Sequence, residues 1–291
     1  MPQTPRPIRL TQARAALTHN ISAVNEHGVL DVISIPAERA LTIYVDKREL
    51  VTLMTLGAAP ELLVLGYLRN QRLIRSVDEV DSITVDWEAG EAGIIEAGVA
   101  AVKTRQGIHD IEERTAQRVV TTGCGQGSVF GHLMDEIDRI RLPDAVLTQA
   151  QLYAITNAIR LQESTYKSAG SVHGCALFRG GELLTFVEDV GRHNAIDTIA
   201  GWMWMNTVSA GADKVFYTTG RLTSEMVIKA AQMGVPIVVS RSGITQMGYE
   251  VAQQLGLCTI GRATNKRFLC YTAQHRLQLQ PELQLPQAVT S

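Results

Sequence analysis

Cys124 lies in the run Thr121-Thr122-Gly123-Cys124-Gly125-Gln126-Gly127-Ser128, with glycine on both sides. A thiol in that setting meets backbone amides rather than side-chain bulk, so a reaction partner can approach it. The thiolate is the reactive form, and an ordinary cysteine ionises only near pH ~8.5, so chemistry at neutral pH needs help from amides or a nearby cation. Arg118 or a residue of the following lobe could give that help. The competing reading is a small apolar residue tucked beneath a loop. Cys175, Cys258 and Cys270 stand in apolar, strand-like runs, where a thiol behaves as a small hydrophobe. No two of the four cysteines have the short spacing of a zinc knuckle or a dithiol redox centre.

Four polar runs could bind or position a ligand. Glu188-Asp189-Val190-Gly191-Arg192-His193-Asn194 gathers four ionisable side chains where a strand gives way to a helix. His193 or Asn194 could cap that helix, and Arg192 could grip phosphate or pair with the carboxylates. A charge network that merely pins the strand to the helix is the alternative. Thr218-Thr219-Gly220-Arg221-Leu222-Thr223-Ser224 and Ser240-Arg241-Ser242-Gly243 each follow a strand and precede a helix. There, Gly220 and the helix amides could receive an anion, although Ser224 and Ser242 also suit a purely structural cap. Gly261-Arg262-Ala263-Thr264-Asn265-Lys266-Arg267 sets three cations between two apolar strands, either as a phosphate or base site or as a solvated turn.

The elements that hold these runs follow from periodicity. Residues 1–29 lack a sustained pattern and form an N-terminal extension. Leu41–Val45 and Glu49–Leu56 flank Asp46-Lys47-Arg48 as a hairpin, Pro60 opens a helix over 61–69, and strand character returns over 80–87 and 93–102. A strand-rich α+β lobe therefore spans residues 30–120, followed by a glycine-rich loop and connector over 121–142. From 143 to 277 the pattern is α/β. A helix is expected to hold Leu147, Leu152, Ile155 and Ile159, with Thr148 or Asp144 as its cap, and a hairpin turns at Arg179-Gly180-Gly181. A helix over 194–205 comes next, and strands and helices then alternate to 261, which calls for parallel strands with ligands at their carboxyl ends. The Gln- and Pro-rich residues 278–291 are expected to be disordered.

Bulk composition narrows the class without naming a partner. The 291 residues carry 45% hydrophobic and 19% charged side chains and a formal net charge of -2, the profile of a globular protein. Met1–Leu10 has three prolines and two arginines but no apolar core, and no apolar stretch is long enough to cross a bilayer. These features place the chain in the cytoplasm, away from membranes and nucleic acid, with its cysteines reduced and no structural metal.

The Cys124 loop resembles part of the FdhD family, as do Ser171-Val172-His173-Gly174-Cys175-Ala176, the run Glu188 to Asp197, Ser224-Glu225-Met226-Val227, Pro236 to Ser242, and Gly261 to Thr272. With the N-terminal strand pair, the resemblance spans residues 30 to 277. It implies an accessory sulfurtransferase that takes sulfur from a cysteine desulfurase as a cysteine persulfide. The sulfur would then pass to the bis-molybdopterin guanine dinucleotide form of the molybdenum cofactor, before the cofactor enters the formate dehydrogenase catalytic subunit. It further implies a three-layer, cytidine-deaminase-like C-terminal lobe and a homodimer. By position, Cys124 matches the persulfide-bearing cysteine, and Arg262, Ala263, Thr264, Asn265, Lys266 and Arg267 match the segment that binds the cofactor's nucleotide. His173, Asp189, Arg192, His193 and Asn194 match motif positions without assigned roles, while Gly220, Arg221, Ser224, Arg241 and Ser242 remain supporting candidates. Two positions depart from the family pattern: Gly127 stands where many members have a second loop cysteine, and Arg262 stands where an aromatic residue is usual.

Two rival functions stay in view. A zinc deaminase needs a His-x-Glu helix and paired cysteines, whereas His173 here leads to Gly174 and Cys175. A chaperone that holds the cofactor or the apo-dehydrogenase without moving sulfur would not need Cys124.

Overall fold

Alternation of apolar and polar residues along Arg39–Val45 (β4) turns Leu41, Ile43 and Val45 inward, and Arg48–Thr55 (β5) returns beside it. Asp46 and Lys47 both take positive φ, 47° and 72°, as the tightest hairpin turns require. Asp46 is fixed there by bonds from the Thr104 amide and hydroxyl, at 2.9 and 2.5 Å. The computed structural model describes residues 7–89, 97–108, 119–120, 127–128 and 137–283. They divide into two compact units that interleave along the chain. The first comprises Met1–Ile137, Glu163–Cys175 and Phe186–Ser209, and the second Asp138–Gln162, Ala176–Thr185 and Ala210–Ser291.

In the first unit, Arg9–Leu10 (β1), Val80–Asp86 (β6) and Ala97–Thr104 (β7) join β4 and β5 in a five-stranded mixed sheet ordered β1-β6-β7-β4-β5. Pro60 occupies the first turn of helix α1, Pro60–Asn70, where its missing N–H costs nothing. Leu63, Val64, Tyr67 and Leu68 of α1 pack with Leu41, Ile43, Ile83 and Val102 of the sheet in one buried core. Each fully buried aliphatic side chain stabilises the fold by roughly 1.5–3 kcal/mol. A second helix of this unit, Arg192–Met205, lies against α1 through glycines. A Cβ at Gly66 would fall on the Asp197 carbonyl oxygen, and one at Gly201 on the Leu62 carbonyl oxygen. Arg69 closes this crossing, donating to the Ala200 carbonyl at 2.7 Å with its guanidinium 4.9 Å from the Trp204 ring centroid.

The N-terminal extension contains more structure than its pattern suggests. Thr18–Val24 (β2) and Leu30–Pro36 (β3) pair antiparallel from Thr18↔Pro36 to Val24↔Leu30. The Asn25 side chain sets the turn by accepting from the His27 and Val29 amides. Val24, Leu30 and Val32 of this ribbon are 67, 67 and 73% exposed, so no inward-outward alternation marks it in the sequence.

Val119–Val120 (β8) pairs antiparallel with Gly127–Ser128 (β9), and residues 121–126, Cys124 among them, are outside the described set. In the second unit, Leu147–Thr148 (β10) leads into helix α2, Gln149–Leu161. Of the two expected caps, Thr148 is the one used, in a capping box with Gln151. A short helix α3, Thr165–Ala169, belongs to the first unit, and the helix Arg192–Met205 described above is α4.

The sheet of the second unit is ordered β12-β11-β13-β14-β15-β16. It takes residues 176–179 of His173–Arg179 (β11) and 182–185 of Glu182–Asp189 (β12). Lys214–Thr218 (β13), Ile237–Ser240 (β14) and Cys258–Thr264 (β15) run parallel, and Arg267–Thr272 (β16) closes the edge antiparallel. Helices α5, Ser224–Gln232, and α6, Gln246–Leu255, connect the parallel strands, as the alternating pattern predicts. Part of the tail expected to be disordered is built in. Leu277–Gln278 (β17) pairs with β10, and Gln280 exchanges bonds of 2.8 Å with the Gln149 side chain and the Ala150 amide. Side-chain amides supply those contacts, and a hydropathy pattern does not register them.

Candidate functional site

The Glu188–Asn194 motif is mostly internal to the first unit. Asp189 is 3% exposed and collects four hydrogen bonds. One oxygen accepts from the Thr55 hydroxyl at 2.5 Å and the Leu56 amide at 3.1 Å, the other from the Gly191 amide at 3.0 Å and the Asn194 side-chain amide at 2.8 Å. Burial pushes the carboxyl up to about 6 in spite of those donors. Asn194 sends its other N–H to the Met54 carbonyl, so it is committed to β5 and does not cap α4. Gly191 is the N-cap, without a side-chain bond, and His193 is 2% exposed within the first turn. Arg192 is 3% exposed, which removes it as a surface grip for phosphate. Glu188 accepts from the Thr165 and Tyr166 amides at the start of α3, and His173 opens β11 half-buried. This motif is thus an internal brace whose main hub is Asp189. Its counterpart Thr55 was not legible as part of it, because one threonine ending a strand carries no motif signal.

In the second unit the carboxyl ends of three parallel strands are tied together. The Gly220 amide donates to the Thr218 hydroxyl, and the Ser240 hydroxyl donates to the Gly220 carbonyl at 2.7 Å. The Ser242 amide donates to Ser240, and the Arg262 amide to the Ser242 carbonyl at 2.7 Å. These bonds correct the expectation that Gly220 offers its amide to an anion, since that amide is already used within the turn. Arg221 and Arg241 are exposed beside the relay, whereas Ser224 is buried as the first residue of α5. Gly261 is required for the close approach: a Cβ there would lie 2.5 Å from Tyr271 and 2.9 Å from the Ser242 carbonyl oxygen. Arg262 follows at φ 50°, in the left-handed region that non-glycine residues enter at a cost.

Beyond this point the β15–β16 hairpin forms one wall of a cleft of about 1110 Å³. Arg262, Thr264, Asn265, Lys266, Arg267, Phe268 and Leu269 line that wall, with Gln149 and Tyr153 of α2 opposite. Ala263 is buried and is not part of the lining. The lining holds three cations and, among the described residues, no carboxylate. Tyr153 meets Phe268 edge-on, with ring centroids 6.4 Å apart. Gln149 donates to the Tyr153 hydroxyl at 2.6 Å, and Thr156 donates to the Asn265 carbonyl at 3.1 Å, so α2 braces the turn. The two rings were missed from sequence because each sits inside a regular element rather than in the charged turn. Cations beside aromatic faces can hold the phosphates and base of a nucleotide.

The remaining thiols are unequal. Cys175 and Cys258 are fully buried, as apolar strand residues should be, but Cys270 is only partly so and its Sγ lies 3.8 Å from that of Cys258. Among the described residues, no helix is long and apolar enough to cross a membrane.

The fold has a solved likeness. A provisionally named formate dehydrogenase accessory protein from Desulfotalea psychrophila superposes with a TM-score of 0.67 over 89% of this chain and 98% of its own, at 24% identity. Among curated proteins, the sulfur carrier protein FdhD of Bacillus licheniformis is 30% identical over 242 residues, covering 83% of this chain and 89% of the relative. The protein of the same name from Halalkalibacterium halodurans is 29% identical over 271 residues, covering 92% of this chain and 97% of its own. The family model described as FdhD/NarQ matches residues 36–278, taking in the Cys124 run, the Asp189 brace and the cationic hairpin. The chain belongs to the FdhD/NarQ family.

Proposed function

We propose that this protein is a sulfur carrier for formate dehydrogenase. It accepts sulfur from a cysteine desulfurase as a persulfide on Cys124 and delivers it to the bis-molybdopterin guanine dinucleotide form of the molybdenum cofactor, its substrate. The observation that carries this reading is the cleft of the second unit, where Arg262, Lys266 and Arg267 stand beside Tyr153 and Phe268. The three cations suit a pyrophosphate, and the two rings offer apolar faces to guanine where Arg262 replaces an aromatic residue. Cys124 lies outside the described residues, and its role rests on its glycine setting and its match to the family's loop. Loading is a thiol exchange: the Cys124 thiolate attacks the outer sulfur of a donor persulfide and the donor cysteine leaves as thiolate. Gly127 leaves no second thiol in that loop to expel the sulfur early. We further assign the second unit, with its parallel strands and crossover helices, to the three-layer cytidine-deaminase-like architecture, and the assembly to a homodimer in the cytoplasm.

The test pairs two variants. After incubation with a cysteine desulfurase and cysteine, intact mass should show one added sulfur on the parent chain and none on Cys124→Ala, while guanosine diphosphate binding is unchanged. Replacing Lys266 and Arg267 by alanine should weaken guanosine diphosphate binding by about tenfold each and leave sulfur loading intact. Sulfur loading on Cys124→Ala equal to the parent would defeat the reading. The chaperone alternative predicts nucleotide binding without any dependence of dehydrogenase maturation on Cys124.

A further inference from the structure

Cys258 and Cys270 face each other across β15 and β16 with their sulfurs 3.8 Å apart. A disulfide requires about 2.05 Å, a gap that side-chain rotation and a small strand shift can close. The ladder is irregular here, its register shifting between Thr259 and Ile260. The two thiols differ in access and in charge. Cys258 is fully buried, whereas Cys270 is half-buried on the edge strand. The shared hydrogen bond raises the Cys258 thiol and lowers that of Cys270, so Cys270 is the more readily ionised of the two. Neither residue is assigned a part in the sulfur loading proposed for Cys124.

We propose that Cys258 and Cys270 form a thiol–disulfide exchange site for small disulfides, with Cys270 as the attacking thiol and Cys258 as the resolving one. The Cys270 thiolate attacks one sulfur of a small disulfide, forming a mixed disulfide and expelling one small thiolate. The Cys258 thiol, losing its proton, then attacks the Cys270 sulfur and expels the second small thiol. Two cysteines are oxidised by two electrons, and one small disulfide is reduced to two thiols. Cys270 directly follows Phe268 and Leu269 of the cleft wall in the sequence of β16.

The experiment uses the full chain carrying Cys124→Ala, reduced and then incubated with oxidised glutathione, acid-quenched, alkylated after unfolding and digested with trypsin. The expected product is a cross-link between the peptides of residues 242–262 and 268–276. Adding Cys258→Ala should replace the cross-link with a stable glutathione adduct on Cys270. Adding Cys270→Ala should abolish both the cross-link and any adduct on Cys258. Complete alkylation of Cys258 and Cys270 in the chain that retains both would overturn the proposal whatever the variants do. An adduct that persists on Cys270 with Cys258 present would overturn the resolving role.

Discussion

The Thr55 hydroxyl donates to the buried Asp189 carboxylate at 2.5 Å, across 134 positions of sequence, while accepting from the Gly57 amide at 3.1 Å. With the Leu56 amide it fills one carboxylate oxygen, and Gly191 and Asn194 fill the other. Four donors therefore converge on two acceptors, an arrangement that only a carboxylate satisfies fully. Asp189→Asn keeps the size but turns an NH2 group toward two donors in either orientation. It should destabilise the fold at pH 7 by about 1–3 kcal/mol, and Thr55→Val by about 1 kcal/mol, read as shifts in the urea midpoint. An Asp189→Asn chain as stable as the parent would show that the four bonds contribute nothing.

Asp189 also predicts a pH dependence. Its folded-state carboxyl sits at about 6, above its ordinary 3.8, so the folded chain holds this proton more tightly than the unfolded chain. Below both values the group contributes no pH dependence. Between about 4 and 6 it lowers stability as pH rises, and above 6 the loss is complete, at about 3 kcal/mol for a shift of this size. Asp81 and Asp213 are lowered by their cationic neighbours and act in the opposite sense, losing stability as pH falls, so the parent must be compared with Asp189→Asn. The stability advantage of the parent should shrink from pH 4.5 to 7. A constant difference would contradict the raised carboxyl.

The crossing of α1 and α4 rests on two glycines whose Cβ atoms would meet carbonyl oxygens of the opposite helix. Gly66→Ala and Gly201→Ala should each cost about 3 kcal/mol, because backbone rather than a flexible side chain must move. Thermal unfolding should register the loss, while Gly107→Ala, where no atom lies within 4 Å, should cost much less even with its positive φ.

Within α5, Lys229 and Glu225 form an ion pair at 3.6 Å with side chains 0 and 1% exposed. Lys229→Ala removes the cation beside a buried carboxylate and should cost about 3–5 kcal/mol, whereas Lys229→Met with Glu225→Leu should recover most of that loss. Chemical denaturation of the three chains decides it. A double variant no better than Lys229→Ala would mean that the pair is not the source of the cost.

How much of this was legible in sequence depended on whether the determinant was local. The β4–β5 hairpin, the Pro60 helix start and the alternation from Lys214 to Gly261 follow from short-range pattern, and the structure bears them out. The 18–36 ribbon escaped because both its faces are largely exposed. Asn194 could be read as a cap from its place at the helix start, but its partners Asp189 and Met54 are fixed by the packing of β5. The cationic hairpin was visible as charge, whereas Tyr153, Phe268 and the approach of Cys258 to Cys270 depend on which strands become neighbours. Cys124 was singled out by its flanking glycines and by the resemblance of its loop.

The central claim is that one thiol, Cys124, carries the sulfur that makes formate dehydrogenase active. The most direct measurement is formate dehydrogenase activity in cells lacking their own copy of this protein and supplied with either the parent chain or Cys124→Ala at equal abundance. The account predicts full activity with the parent and background activity with the variant, which should still bind guanosine diphosphate. Full activity with Cys124→Ala would contradict it.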